Sequence, residues 1–236
     1  MQLQLNKKPQ NCTLIIGFPG FGLVGTIATE FLIEHLQTVK IGKVTTEDVA
    51  AIVAIHESKI VEPIGIFYNK KWNIAILHVV NAVANIEWKL AEVIDDLVKK
   101  LKVKEIVSLE GVGSQIPTET SRVFYFLTST KNEKKIKSLA IEPLKEGIIM
   151  GVTGAILLRM EHFPTTCFFA ETHTQMPDSK AAAKIIETLD KYMGLAVDYK
   201  PLLKQAEKFE EKLKDLMKQS QQSQDMQDKK KLSYVG

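Results

Sequence analysis

Three glycines near the start of the chain have the spacing of a phosphate-binding loop. Gly20, Gly22 and Gly25 form a G-x-G-x-x-G pattern between a short apolar run, residues 12–16, and a helix-like segment, residues 23–36. A strand, a glycine loop and a helix in this order are the context that dinucleotide-binding folds require. Glycines allow a tight turn and close backbone approach, and a helix N-terminus offers N–H groups to an anion. The alternative is that these glycines only turn a strand into a helix and pack the two closely.

Polar side chains near the ends of predicted strands are candidates for the remaining parts of a nucleotide site. Glu47 and Asp48 lie roughly 20–25 residues beyond the loop, where dinucleotide-binding folds place a ribose-binding acid. Glu110, Glu171 and His173 lie at or just after the ends of two later predicted strands. In a parallel sheet these three would meet at the carboxyl edge beside the Gly20 loop, and Glu110 and His173 are then candidates for general acid–base chemistry. The alternative is that they are ordinary polar residues at strand ends.

Other chemistry-bearing residues do not form a recognisable metal or hydrolase site. None of the five histidines forms an H-x-x-x-H or H-E-x-x-H pair, and neither Cys12 nor Cys167 stands in a CxxC pair. Ser114 lies outside any G-x-S-x-G turn. We therefore predict no metal and no cofactor. Both cysteines lie in apolar runs, so we expect two buried free thiols in a reducing compartment.

Composition limits the partners of this chain. Its 236 residues suit one large α/β domain with appendages, and 45% of them are hydrophobic. The net charge of +3 and the presence of only two arginines, Arg122 and Arg159, argue against nucleic-acid binding. The N-terminus has no signal-peptide pattern, and the longest nearly uncharged stretch, residues 147–158, is too short to span a bilayer. We therefore expect a cytoplasmic protein that does not bind membranes.

Apolar runs and helical periods alternate along the first 198 residues. This alternation predicts an α/β domain, a mainly parallel sheet flanked by helices, with residues 60–68 and 72–80 forming a hairpin. The predicted strands are residues 12–16, 39–46, 52–56, 60–68, 72–80, 104–109, 123–127, 147–150 and 165–171. The predicted helices are residues 23–36, 85–102, 132–141, 151–161 and 177–194.

Residues 1–198 form this predicted domain, and the chain that follows it divides into two parts. Residues 199–218 form a predicted C-terminal helix whose apolar positions recur every 3.5 residues, which is typical of a helix that pairs with another, within the protein or between subunits. Burial on the chain's own sheet is the alternative. The apolar positions are Leu202, Ala206, Phe209, Leu213 and Leu216. Residues 219–236 form a predicted flexible tail, because the polar, low-complexity stretch 219–231 has little to bury.

The tail ends in a cluster of apolar and aromatic residues. Leu232, Tyr234 and Val235 follow the polar stretch, and the chain ends at Gly236. Exposed apolar groups at a free terminus stabilise nothing in the folded domain. They suit capture by a pocket on another protein, with the terminal carboxylate as a charged handle. The alternative is that a tyrosine occurs in such a tail by chance.

Four sequence blocks resemble the PAC2 family, the proteasome-assembly-chaperone relatives of archaea and bacteria. In chain order they are IIGFPGFGLVGTIA, SLEGVGSQIP, GIIMGVTGAIL and PDSKAAAKIIETLDKYMGLAVD. The resemblance covers about Asn11 to Met217. It implies a phosphorylase-like α/β sandwich, a homo-oligomer and no established catalysis.

For archaeal members the resemblance also implies a C-terminal motif of a hydrophobic residue, a tyrosine and any residue, which inserts between α-subunits of the 20S proteasome ring. Here the tyrosine matches Tyr234, but it is third from the end, and Ser233 fills the hydrophobic place. The extra residue displaces the carboxylate by about 3.4 Å.

The sequence thus predicts a non-enzymatic assembly chaperone or adaptor that oligomerises and binds a multisubunit partner through its tail, foremost the proteasome α-ring. The partner-binding residues would be Leu232, Tyr234, Val235 and Gly236. One alternative is a nucleotide- or nucleoside-binding enzyme that uses the Gly20–Gly25 loop. Another is a scaffold that pairs with a second small protein through the C-terminal helix.

Overall fold

The computed structural model describes residues 1–48, 53–56, 59–80, 85–114, 121–172, 176–204 and residue 215. Eleven β-strands and five α-helices lie within these residues. The strands are β1 (Gln2–Leu5), β2 (Thr13–Gly17), β3 (Val39–Thr45), β4 (Ala54–His56), β5 (Lys59–Val61), β6 (Ile64–Asn69), β7 (Ile74–Val79), β8 (Glu105–Gly113), β9 (Val123–Leu127), β10 (Glu142–Pro143) and β11 (Thr165–Thr172). The helices are α1 (Val24–His35), α2 (Glu87–Leu101), α3 (Glu133–Lys137), α4 (Gly151–Arg159) and α5 (Ser179–Met193).

Nine strands form one mixed sheet in the order β1-β3-β6-β7-β2-β8-β11-β9-β10. The four central strands, β7, β2, β8 and β11, are mutually parallel. Antiparallel pairs join β1, β3, β6 and β7 on one side, and β9 runs antiparallel to β11 on the other. The predicted α/β fold is therefore confirmed, with antiparallel strands added on both sides of a parallel centre.

Helices cover both faces of the parallel strands. α1 and α5 pack on one face, around Ile15 and Val107, whereas α2 and α4 pack on the other, around Leu14 and Ile106. Successive side chains of a strand point to opposite faces, so each central strand contributes to both cores. This is why these strands are almost continuously apolar in sequence.

The hairpin predicted on the antiparallel side is present as β6 and β7. The side chain of Asn69 accepts a hydrogen bond from the backbone N–H of Trp72 at 3.0 Å. Asn73 takes a left-handed backbone conformation, with φ of 50°, which asparagine tolerates better than most residues. Two asparagines therefore close this turn.

Helix α5 begins and ends at the cap residues that the sequence indicates. The side chain of Asp178 accepts a hydrogen bond from the backbone N–H of Ala181 at 2.9 Å. Gly194, with φ of 69°, ends the helix in the left-handed conformation that glycine adopts without strain. These two residues set the first and last turns of α5.

Residues 147–150 do not form the strand that their apolar character predicts. The two-residue strand Glu142–Pro143 forms instead, beside Phe124 and Tyr125 of β9, and it is the last described strand on that side of the sheet. Ile148 is 89% exposed. The apolar run was taken for a buried strand, but it lies on the surface between β10 and α4.

Three smaller differences concern element boundaries. The helix predicted for residues 132–141 is limited to α3, and the weak strand predicted for residues 52–56 is β4, which pairs with β5 in a separate hairpin. The first residues of the chain form β1, an edge strand that the sequence analysis did not predict. Its alternation of glutamine and leucine was the available signal.

The predicted C-terminal helix has begun by the last continuous described residues, since residues 200–204 are helical. Leu202 is 1% exposed and belongs to the core between α1, α5 and the sheet. Cys12 and Cys167 are buried free thiols, as predicted. In the described part of the chain, no helix is long and apolar enough to cross a bilayer.

Candidate functional site

The glycine-rich loop connects β2 to α1 at the carboxyl edge of the parallel strands. Residues Phe21–Leu23 form one 3₁₀ turn before α1 begins. The N–H of Leu23 donates to the carbonyl of Gly20 at 3.0 Å, and the N–H of Val24 donates to the carbonyl of Phe21. These two amides therefore have carbonyl partners inside the loop, which reduces the number of donors left for an anion.

The third glycine of the pattern allows α1 to lie directly on the sheet. A Cβ atom on Gly25 would lie 2.3 Å from the carbonyl oxygen of Leu109 and 3.0 Å from Cα of Gly17. A Cβ atom on Gly17 would in turn lie 2.3 Å from the carbonyl oxygen of Gly25. Both contacts are with backbone atoms, which cannot move aside as a flexible side chain can. Gly25 is therefore required for packing of α1 on β2 and β8.

The second glycine is enclosed by the protein's own side chains. Gly22 has φ of 61°, and a Cβ atom there would lie 2.8 Å from Oγ1 of Thr172 and 3.1 Å from Cβ of Asp178. The Gly22 carbonyl accepts a hydrogen bond from the N–H of Asp178 at 2.8 Å. In dinucleotide-binding folds this glycine lets the backbone approach a pyrophosphate. Here Thr172 and Asp178 occupy that space and fasten the loop to the end of β11 and the start of α5.

Glu110 is on β8, and its side chain lies beside the first glycine and bonds to α4. Its Oε1 accepts hydrogen bonds from Oγ of Ser108 at 3.0 Å and from Oγ1 of Thr153 at 2.5 Å. Its Oε2 lies 3.8 Å from the position that a Cβ atom on Gly20 would take. Burial raises the pKa of Glu110 to about 7, although the two hydroxyl hydrogen bonds lower it in part. When ionised, this carboxylate repels any phosphate placed beside Gly20.

Glu171 is brought to the same edge as Glu110, as predicted, because β8 and β11 are adjacent and parallel. Its carboxylate is buried and accepts two hydrogen bonds from Arg122, from Nε at 2.9 Å and from Nη2 at 2.7 Å. These bonds hold the pKa of Glu171 below its ordinary range. The Glu171 carboxylate therefore forms an ion pair with Arg122. The third residue of the predicted group, His173, lies outside the described residues.

The predicted ribose-binding acids lie elsewhere, so that prediction is wrong. Glu47 and Asp48 follow β3, and two strands, β6 and β7, separate β3 from β2. At about 4.8 Å per strand this places them roughly 14 Å across the sheet from the glycine loop. Asp48 instead pairs with Lys89 at 2.5 Å and accepts a hydrogen bond from Thr46. The hydrogen bond from Lys89 is the main cause of its lowered pKa.

Neither a metal site nor an activated thiol occurs in the described ranges. No group of three or more His, Cys, Asp or Glu side chains there is placed to hold a metal ion. Burial raises the pKa of Cys12 to about 11 and raises the pKa of Cys167 as well. Both thiols therefore stay protonated at neutral pH, and a protonated thiol is a poor ligand and nucleophile.

The fold and the sequence blocks that form this edge match a known family. A model of the PAC2 family matches residues 14–217, from β2 to beyond the last described helix. The chain belongs to the PAC2 family.

Individual relatives extend the match over nearly the full chain. Pyrococcus furiosus PbaA, described as an archaeal homolog of proteasome-assembly chaperone, has a TM-score of 0.84 and 31% sequence identity, covering 94% of this chain and 99% of its own. P. furiosus PbaB, described as an archaeal proteasome activator, has a TM-score of 0.77 and 23% identity, covering 91% and 98%. Uncharacterized protein MJ0106 of Methanocaldococcus jannaschii is 28% identical over 212 residues, 89% of this chain and 87% of that protein.

The residues that the PAC2 resemblance implies for partner binding lie outside the described part of the chain. The structure therefore does not test their role, and they stay a prediction. They are Leu232, Tyr234, Val235 and Gly236, and three of the four proposed oligomer-helix residues, Phe209, Leu213 and Leu216, lie outside as well. The fourth, Leu202, packs into the chain's own core, which is the alternative that the sequence left open for this position.

Sequence reasoning missed a buried polar group on β7. Nδ1 of His78 lies 2.8 Å from Oγ1 of Thr29, and its Nε2 lies 2.8 Å from Oε2 of Glu30. Thr29 and Glu30 are on α1, so this group ties the helix that follows the glycine loop to the sheet. A histidine within the otherwise apolar run of β7 was the signal available in the sequence.

Sequence reasoning also missed the exposure of residues 147–150, because they were assigned to a buried strand. Between Phe126 and Leu158 in the sequence, four large apolar side chains are exposed. They are Phe126 (37%), Ile148 (89%), Met150 (71%) and Leu158 (72%).

Proposed function

We propose that this PAC2 protein is a non-enzymatic chaperone or adaptor in proteasome assembly. The observation that carries the proposal is the similarity to PbaA, at 31% identity and a TM-score of 0.84 over 94% of the chain. PbaA is described as a homolog of a proteasome-assembly chaperone. Similarity at this level over nearly the full length of both chains supports a shared role more strongly than the fold alone does.

The geometry of the carboxyl edge supports a body without catalysis. The space beside Gly22 is filled by Thr172 and Asp178, and Gly25 is in contact with the backbone of the sheet. Glu171 is held by Arg122. A nucleotide phosphate would therefore have to displace protein atoms at one glycine and meet the Glu110 carboxyl at another.

In this proposal the C-terminal tail carries recognition. The body forms a homo-oligomer in the cytoplasm, and each copy presents Leu232, Tyr234, Val235 and the carboxylate of Gly236 to the α-ring of the 20S proteasome. Each tail alone binds weakly. Several tails on one oligomer bind with avidity, because every engagement after the first is intramolecular.

A tail deletion tests this mechanism. We expect removal of Leu232–Gly236 to abolish capture of proteasome α-rings in a pull-down, while the oligomer mass measured by light scattering stays unchanged. The matched control removes five polar residues, Gln221–Asp225, and keeps the terminal motif. This control should still bind the ring. Ring binding that survives the terminal deletion would refute the tail mechanism.

One observation favours the nucleotide-enzyme alternative, namely the raised pKa of Glu110 at an edge where α/β proteins often bind ligands. Isothermal titration with NAD, NADP, ATP and nucleosides tests it. We expect no binding at micromolar concentrations. A micromolar ligand whose binding is lost in the variant Glu110→Gln would favour the enzyme.

A further inference from the structure

Strand β1 forms one edge of the nine-stranded sheet, and no described strand lies beyond it. An edge strand presents a row of unpaired N–H and C=O groups to any chain that can pair with it. The strand at the opposite edge, β10, has only two residues, and one of them, Pro143, has no N–H to donate. Residues Gln2–Leu5 of β1 include neither proline nor lysine, which commonly protect an edge. In the described part of the sheet, β1 is therefore the edge that is open to pairing.

The backbone groups of Leu3 and Leu5 point to this open edge. The N–H of Asn6 donates to the carbonyl of Ile41, at the beginning of the β1–β3 ladder, at 2.7 Å. Alternate residues of an antiparallel strand point the same way, so the even-numbered residues of β1 bond to β3. The position that a Cβ atom on Gly42 of β3 would take lies only 2.3 Å from the carbonyl oxygen of Gln4, which agrees with this direction. The odd-numbered residues are left facing outward.

The side chains of β1 favour a particular kind of partner strand. Leu3 and Leu5 pack on the core beneath α2 and are only half-buried, whereas Gln2 and Gln4 are exposed on the other face. Residues directly opposite each other in an antiparallel pair share a face, so a suitable partner strand places apolar residues opposite the leucines. The run Leu-Gln-Leu, centred on Gln4, reads the same in both directions. A second copy of β1 therefore meets this requirement.

We propose that β1 pairs with β1 of a second copy, antiparallel and centred on Gln4. This inference rests on the homo-oligomer of the proposed function and names one of its interfaces. Leu3 of each copy lies opposite Leu5 of the other, and each such pair exchanges two backbone hydrogen bonds. The leucines of both copies lie on the α2 face and the glutamines on the other. The two nine-stranded sheets thus become one continuous sheet.

A pocket beside the beginning of β1 adds a second contact to this pairing. The pocket has a volume of about 520 Å³, and its lining includes Met1 and, after β3, Glu47. In the proposed pairing Lys7 of the second copy lies opposite Met1, two strand spacings or about 10 Å from β3. Lys7 and Glu47 are both exposed, and their long side chains can meet over this distance. Two-fold symmetry repeats the contact at the other end of the pair.

The size of the contact makes this pair weak. A stable protein–protein interface uses about 20–30 residues from each partner, and β1 with the pocket supplies about half that number. We therefore expect association that depends on protein concentration and is sensitive to one substitution at the centre of the strand. An unrelated extended peptide would gain the same backbone hydrogen bonds but not the matched leucines.

Gln4→Lys tests the pairing, because Gln4 lies opposite itself across the two-fold axis. Directly opposed like charges destabilise a strand pair, so in low salt the dissociation constant measured by sedimentation velocity should rise about five-fold. Gln4→Glu should have a similar effect. An equal mixture of the two variants should restore the pair, with a dissociation constant about ten-fold below that of Gln4→Lys alone. A mass that Gln4→Lys leaves unchanged at every concentration, or no recovery in the mixture, would overturn the proposal.

Gln2→Lys is the matched control. It adds the same charge to the same exposed face of β1, but it lies opposite Asn6 of the second copy, so its dissociation constant should stay within about two-fold of the unmodified chain. A loss equal to that of Gln4→Lys would contradict a pairing centred on Gln4. Lys43 of β3 pairs with Gln4 in the same copy, so the thermal unfolding temperature is measured as well and should stay within a few degrees. Recovery in the mixture excludes detachment of β1 as the cause.

Capture of proteasome rings distinguishes this inference from the proposed function. If the unmodified chain captures rings but Gln4→Lys has the same mass as the unmodified chain at every concentration, the inference ends and the proposed function stands. If Gln4→Lys loses the pair and the mixture restores it, but the unmodified chain captures no rings, the interface stands and ring binding does not.

Discussion

Replacing Glu110 by glutamine should make the protein more stable at alkaline pH. The carboxyl lies between β8 and α4, with Oε1 bonded to Ser108 and Thr153. Glutamine keeps an oxygen acceptor of the same size for both hydroxyls but does not ionise. The change therefore removes the cost of ionising a buried carboxyl and retains the hydrogen bonds.

The size of the effect follows from the pKa of Glu110, which burial raises from the ordinary value of 4.5 to about 7. The folded state binds the proton more tightly than the unfolded state does. The stability that this group contributes is thus complete below pH 4.5 and is lost as the pH rises through 7. At about 1.4 kcal/mol per pH unit the loss reaches about 3 kcal/mol by pH 8, most of it between pH 5 and pH 8.

Urea denaturation at several pH values measures this difference. Glu110→Gln and the unmodified protein should have similar free energies of unfolding near pH 5, whereas at pH 8 the variant should be more stable by about 2–3 kcal/mol. Glu146→Gln, at an exposed glutamate, is the control and should follow the unmodified protein throughout. If the difference in free energy of unfolding between Glu110→Gln and the unmodified protein stays constant from pH 5 to pH 8, the argument that burial raises this pKa is refuted.

Two further predictions concern the same edge. Gly25→Ala should lower the free energy of unfolding by about 3 kcal/mol or more, because its Cβ atom meets two backbone segments, whereas Gly20→Ala, with neighbours no closer than 3.8 Å, should change it by less than about 1 kcal/mol in urea denaturation. Equal effects would contradict the packing role of Gly25. Arg122→Met should lower the thermal unfolding temperature at pH 7 and less so at pH 3, because the stability supplied by the depressed pKa of Glu171 is lost as the pH falls through that pKa. An equal loss at both pH values would show that the ion pair is not the cause.

Much of the fold could be predicted from the sequence because its signals are local. Alternating apolar runs and helical periods indicated parallel strands with crossover helices, and two cap residues, Asp178 and Gly194, marked the ends of α5. The strand order is not a local property. Which strand lies beside β2 depends on the packing of helices on both faces, so the separation of Glu47 and Asp48 from the loop was not available from their spacing. Apolar character alone also did not distinguish the exposed segment 147–150 from a buried strand.

The positions of the candidate site residues could be predicted from the sequence, but their burial and their hydrogen-bond partners could not. Glu110 and Glu171 follow from the rule that neighbouring parallel strands end at one edge. The partner of Glu171 is Arg122, 49 residues earlier, and no spacing rule links two residues so far apart. Whether Glu110 is buried depends on α4, which supplies Thr153 from 43 residues later.

The glycine pattern illustrates why a motif is weaker evidence than its surroundings. In a dinucleotide-binding fold the three glycines permit a tight turn, close approach of the backbone to a pyrophosphate, and close packing of a helix on a strand. In this PAC2 protein the turn and the packing are present, but side chains of β11 and the α5 cap fill the place of the pyrophosphate at Gly22. Thr172 and Asp178 contact the loop at Gly22, so contacts within the protein hold the loop in place without a ligand. The same three glycines are therefore accounted for by the turn and by contacts within the protein.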